Sequence, residues 1–173
     1  IEALRSELRR VAFEHETRFL KSHERRAEVI DTLYKNLRKT YVGFRSLTAE
    51  IESPGEPTKE EKEDQARESF NALSEHFWLN RLYLELSLCK QIEEFLNTMK
   101  RVFTLWQREK RKQKKAVPED TDYWHAASEK VEKEAKVILQ QLEDRFRTIL
   151  GIQEPAEAPS KETTPRGTRL SST

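Results

Sequence analysis

From Leu4 onward, steps of three and four residues stay on one helical face through Leu8, Val11, His15, Phe19 and Ser22 to Ile30, Leu33, Leu37, Tyr41, Phe44 and Ile51. No proline interrupts this run, and Gly43 is its only glycine. The pattern predicts one helix from about residue 2 to residue 52, roughly 75 Å long at 1.5 Å per residue. An average domain helix has only about three turns. A rod of that length holds things apart or together and does not surround a substrate. The apolar positions also repeat at eleven, as Leu8, Phe19, Ile30, Tyr41 and as Val11, Ser22, Leu33, Phe44. That period keeps a helix nearly straight. Before residue 28 the stripe is weak, with His15, Ser22 and Arg26 in seam positions; beyond it Ile30, Leu33, Tyr34, Leu37, Tyr41 and Phe44 cluster. The second half is therefore expected in a core and the first half as a stalk.

The rest of the chain reads as three shorter helices. Ser53-Pro54-Gly55-Glu56-Pro57 ends the first helix, because two prolines and a glycine cannot continue it. Thr58 with Glu61 makes a capping box for a second helix, which carries Ala66, Phe70, Leu73 and Phe77 and stops near Asn80. Arg81-Leu82-Tyr83-Leu84 reads as a short apolar corner, since there is no second strand to pair with it. Ser87 is the expected cap of a third helix, whose stripe runs Leu88, Ile92, Phe95, Met99, Val102 and Trp106 into the basic stretch 108–115. Pro118 and Asp120 break and restart the chain. A fourth helix follows with Trp124, Val131, Ile138, Leu142 and Phe146, and Gly151 stands where a C′ glycine belongs. The expected fold is all-α: an elongated antiparallel bundle of about four helices over 1–151, with a long first helix. Residues 152–173, where three prolines lie among Glu, Ser, Thr and Lys, are expected to be a disordered tail.

Composition narrows the chemistry. Charged residues make up 36% of the 173, yet 32 Lys and Arg nearly cancel 31 Asp and Glu. That balance suits solvated helix faces and argues against a whole-domain grip on nucleic acid. Four glycines leave little for phosphate-cradling loops, and one cysteine excludes an internal disulfide. No apolar run is long enough to span a membrane. The four histidines form neither HExxH nor the ExxH spacing of di-iron bundles, so no metal or other cofactor is expected. Cys89 could be a thiol activated at a helix start, but its setting reads as a buried small hydrophobe. No catalytic residues are expected. The stretch 108–115 reads either as a solvated helix end or, through Lys110, Arg111, Lys112, Lys114 and Lys115, as a contact for nucleic acid or anionic lipid. Trp106 and Trp124 flank it and are expected to close the end of the bundle.

Two segments carry a resemblance. Phe19-Leu20-Lys21-Ser22-His23-Glu24-Arg25-Arg26-Ala27-Glu28-Val29-Ile30, followed by Leu33-Tyr34, resembles the "F-x-x-x-H-E-K-R-A-E-V-I-x-x-L-Y" stretch of a group of uncharacterised bacterial helical proteins. Asn80-Arg81-Leu82-Tyr83-Leu84, then Leu88-Cys89 and Ile92, is similar to the "N-R-I-Y-L…L-C-x-x-I" corner of that group. The likeness spans roughly residues 10–100. It implies a membrane-spanning segment just before the long helix, a feature those proteins often show, and it transfers no activity, substrate or cofactor. Arg5, Arg9 and Arg10 would then lie on the cytoplasmic side. The chain starts at Ile1 in helical phase, so the expectation is a fragment whose upstream segment lies outside it. His23 is expected to hydrogen-bond within the bundle rather than to sense pH.

These readings combine into one expectation: a non-enzymatic helical interaction or scaffold module. It would sit in the cytoplasm at the inner face of the membrane, tethered through that upstream segment. Its partner would be another protein or a second copy, bound through Val11, His15, Phe19 and His23, and no small-molecule substrate is expected. The alternative is a nucleic-acid-associated protein using the five basic residues of 108–115.

Overall fold

The computed structural model describes residues 2–49, 54–115 and 122–152. Helix α1 runs Glu2–Leu47, α2 Lys59–Asn80, α3 Leu86–Lys115, α4 Tyr123–Glu129 and α5 Lys136–Ile149. A 3-10 turn, Arg81–Tyr83, joins α2 to α3, and a π-helical segment, Lys130–Ala135, makes α4 and α5 one continuous rod. Among the described residues there is no strand. The chain is thus an all-α antiparallel bundle of four rods with a long first helix, as the periodicity predicts.

Contacts fix the topology. Gly43 meets Ala66, Thr40 meets Ser69 and Val29 meets His76, so α2 runs back along α1. Glu63 meets Lys110 across α2 and α3, and Arg145 meets Ser87 and Gln91 across α5 and α3. Tyr34 stacks edge-on against Phe146, which returns the last rod to α1. The order is up, down, up, down, with α1 and α3 on the diagonal.

The two halves of α1 differ as their composition predicts. Val29, Ile30, Leu33, Leu37, Phe44 and Leu47 are at most 1% exposed, and none of residues 2–25 is buried. Each large apolar side chain fully buried there contributes about 1.5–3 kcal/mol. The first half has no such support and stays helical on intrinsic propensity and on exposed pairs such as Glu7–Arg10–Glu14. The expected end near residue 52 is earlier: the helix stops at Leu47, where Thr48 Oγ1 bonds back to the Phe44 carbonyl. Residues 50–53 lie outside the described part.

Boundaries elsewhere follow local chemistry. Thr58 Oγ1 accepts from the Glu61 amide while the Glu61 carboxylate accepts from the Thr58 amide at 2.7 Å, a complete capping box. Ser87 is not the cap of α3. The helix begins at Leu86, the Cys89 amide already bonds the Glu85 carbonyl, and Ser87 Oγ instead accepts from Arg145 at 2.7 Å. Asp122 caps α4 through the His125 amide, and Pro118 and Asp120 lie outside the described residues. At the other end Gly151, at φ +69°, completes a Schellman turn in which Ile152 N bonds Arg147 O and Gly151 N bonds Thr148 O. The tail from 153 onward lies outside the described residues.

The π segment also has a cause in the sequence. Ala127, Val131 and Ala135 are all fully buried and stand four apart. Repeated steps of four overshoot a 3.6-residue turn and would rotate the stripe off the core. The wider i→i+5 turn absorbs the surplus, and Leu139, Leu142 and Phe146 then resume the ordinary spacing on the same face.

Candidate interaction surface

Apart from the start of α1 and the junction of α4 with α5, the helix ends meet at two opposite ends of the bundle. At the far end, the close of α3 meets the starts of α2 and α4. Trp106 and Trp124 pack edge to face at 5.1 Å, and Lys59 Nζ lies 4.6 Å from the Trp124 ring centroid. The two tryptophans close this end, as expected. At the near end, the close of α2, the start of α3 and the close of α5 surround α1 at about residue 25, and beyond it no other described residue packs over α1.

The exit point is braced by polar contacts. Arg25 reaches Asn80 Oδ1 at 3.4 Å and lies 5.6 Å from the Tyr83 ring centroid, while Arg26 pairs with Glu85 at 2.9 Å. Glu28 holds the Arg25 guanidinium above its ordinary pKa by hydrogen bonding, with a smaller push from Tyr83. His76 spans α2 to α1 with Nε2 at 3.3 Å from the Val29 carbonyl, and its Nδ1 lies 3.3 Å from Asn80 Nδ2. His76, rather than His23, is the histidine that bonds within the bundle. The expectation for His23 is corrected: it lies on the projecting half, exposed, with its ring 4.5 Å from that of Phe19.

Beyond the exit, Val11, His15 and Phe19 share one face, in line with the buried stripe that begins at Val29. Phe19 is 64% exposed, and Leu4 and Leu8 extend the same face. Phe13 and Leu20, seven apart, make a second exposed apolar pair that the stripe count passes over because they lie across the helix from it. The bundle end adds Trp78, Leu79, Leu82 and Leu86. Leu82 is 93% exposed, and of the corner read as apolar only Leu84 is buried. The signal for these residues is the corner itself, whose four residues cannot all point inward from one 3-10 turn.

The basic stretch is more engaged than its charge suggests. Lys110 Nζ lies 2.8 Å from Glu63 Oε2, and Arg108 stands 6.0 Å from the Tyr123 ring centroid. Lys112 is also engaged with a partner. Arg111 and Lys114 are exposed, and the side chain of Lys115 lies outside the described residues. Cys89 is 1% exposed, with Sγ near the Arg81 and Leu84 carbonyls. Among the described residues no group of three His, Cys, Asp or Glu side chains is placed to hold a metal, and no helix is long and apolar enough to cross a membrane. Compared with protein-family models, with curated proteins and with solved structures, the chain gives no match.

Proposed function

We propose that this chain is a non-enzymatic helical interaction module whose contact surface is the projecting half of α1. One observation carries the reading: residues 2–24 continue the face that α1 buries in the bundle, yet among the described residues no other element covers them, and Leu4, Leu8, Val11 and Phe19 are exposed. Exposed apolar side chains aligned on one helix face mark a site for another helix. Val11, His15, Phe19 and His23 form the centre of that contact. The partner is a helix of a second copy or of another protein. A cytoplasmic place at the inner membrane face, through an upstream anchor as in the bacterial group the sequence resembles, belongs to the same proposal.

A chain starting at residue 25 tests it. That chain retains every buried residue of the core. Its expected behaviour is unchanged cooperative unfolding with lost association in sedimentation velocity. Equal sedimentation behaviour of the two chains, allowing for the lost mass, removes the proposal. The nucleic-acid reading has less support, because Lys110 is held by Glu63; replacing Arg111, Lys112, Lys114 and Lys115 by Gln would have to flatten a salt-dependent affinity for RNA or DNA.

A further inference from the structure

The free face of α1 reads nearly the same in both directions. Its positions 4, 8, 11, 15 and 19 carry Leu, Leu, Val, His and Phe. Laid against a reversed copy of itself, Leu4 stands opposite Phe19, Leu8 opposite His15 and Val11 opposite Val11. At about 100° per residue, Arg5 and Glu16 flank this seam on one side, and Glu7 and Arg18 flank it on the other. In a twofold antiparallel pair each flank faces the same flank of the other copy, so every contact occurs twice. In the register set by the apolar layers, Arg5 then comes near Glu16 of the other copy, and Glu7 near Arg18. All four residues are exposed. Glu7 also holds Arg10 along its own helix, whereas Arg5, Glu16 and Arg18 have no salt-bridge partner among the described residues. Opposite charges flanking an apolar seam set the choice and direction of a partner helix.

The bundle excludes the other direction. It lies on the same face of α1 that carries Leu4, Leu8, Val11 and Phe19. A parallel partner on that face would run its own continuation into the space held by α2 and α5. An antiparallel partner brings only its first turn to that level. Residue 2 of one copy falls opposite residue 21 of the other, about one turn short of the exit at Arg25. The free length therefore accommodates the whole overlap. We propose that residues 2–24 of α1 pair with the same segment of a second copy, antiparallel and with Val11 at the twofold axis. This rests on the reading of the projecting half as the contact surface and names its occupant.

The test uses the full chain. Sedimentation equilibrium should show a monomer–dimer exchange. Arg5→Glu and Glu16→Arg should each weaken the dimer about tenfold, since each sets like charges together twice. An equimolar mixture of the two variants should dimerise as tightly as the parent, because both mixed pairs are again opposite. Direction is read on a Cys89→Ala background. Leu4→Cys mixed with Phe19→Cys should form a mixed disulfide under mild oxidation. Neither variant should cross-link to itself, because the two copies of either position lie about 22 Å apart along the axis. Self-cross-linking of either variant, or a charge-swapped mixture that does not regain affinity, overturns the antiparallel pairing. Where that result accompanies an association that the chain starting at residue 25 loses, the contact surface stands and this pairing alone falls. A full chain that stays monomeric, as the shortened chain does, removes both.

Discussion

Lys110 Nζ stands 2.8 Å from Glu63 Oε2 and ties the close of α3 to the opening turns of α2. The Glu63 side chain is only 7% exposed, and it also accepts from Arg67 and Gln107 at 2.8 Å and from Trp106 Nε1 at 3.4 Å. Burial pushes the Glu63 carboxyl up, but hydrogen bonds from Lys110, Trp106 and Gln107 together with the Lys110 charge outweigh it, so its pKa lies below the usual carboxylate value. The same bond holds the Lys110 ammonium above its ordinary value. A carboxylate with a depressed folded-state pKa stabilises fully above the unfolded value, and this stabilisation is lost as pH falls through the folded one. Acid unfolding should therefore steepen below the ordinary carboxylate range. Glu63→Gln should cost about 1–3 kcal/mol near neutral pH and flatten that acid limb, read by urea melts at a series of pH values. An unchanged pH profile would show that Glu63 carries no such linkage.

The division of α1 makes a paired prediction. Leu33 is fully buried and Leu8 is 62% exposed on the same face. Leu33→Ala should destabilise by about 2–5 kcal/mol, whereas Leu8→Ala should stay within about 0.5 kcal/mol. Chemical denaturation of the two variants at one concentration, low enough to keep the chain monomeric, checks this; similar losses for both would mean that the projecting half is folded against something in the same chain.

Gly43 lies where α1 and α2 approach closely. A Cβ built there comes 3.3 Å from the Ala66 Cα and 3.4 Å from Ser69 Oγ. Alanine gains about 1 kcal/mol of helix propensity, which that crowding opposes. A branched side chain cannot fit without parting the helices, so Gly43→Val should cost about 1–3 kcal/mol and lower Tm. A Tm at or above the parent value would show that the two backbones part freely.

Cys89 tests the order of the near end. Its thiol is 1% exposed beneath the 3-10 corner. An aromatic disulfide reagent should therefore react orders of magnitude more slowly than with a free thiol, at a rate set by local or global opening. The rate should rise sharply in denaturant. Immediate reaction in buffer would mean that the corner is open in solution.

Much of this arrangement is legible in the amino-acid sequence, because its signals are local. Thr58 and Glu61 carry their own hydrogen-bond logic, Gly151 supplies the positive φ of a Schellman turn, and the change in α1 near residue 28 is written in which seam positions are apolar. What is not legible depends on distant partners. Ser87 resembles a cap, but Arg145, 58 residues away, takes its hydroxyl. His23 has the spacing of a bundle histidine, yet His76 has that role because α2 returns alongside Val29. Leu82 is apolar and by type an inward residue, yet a three-residue turn has no inward position for it.

One unbroken backbone ladder passes from the free portion of α1 into Val29 and Ile30 without a glycine or proline to absorb a bend. A partner bound at the tip, as proposed above, would therefore hold the whole globule as though by a handle. Each residue inserted or deleted between the two would shift the reach by about 1.5 Å and swing the grip by about 100°. Under that proposal, the orientation of the body relative to the bound partner is encoded in the plain number of residues between them.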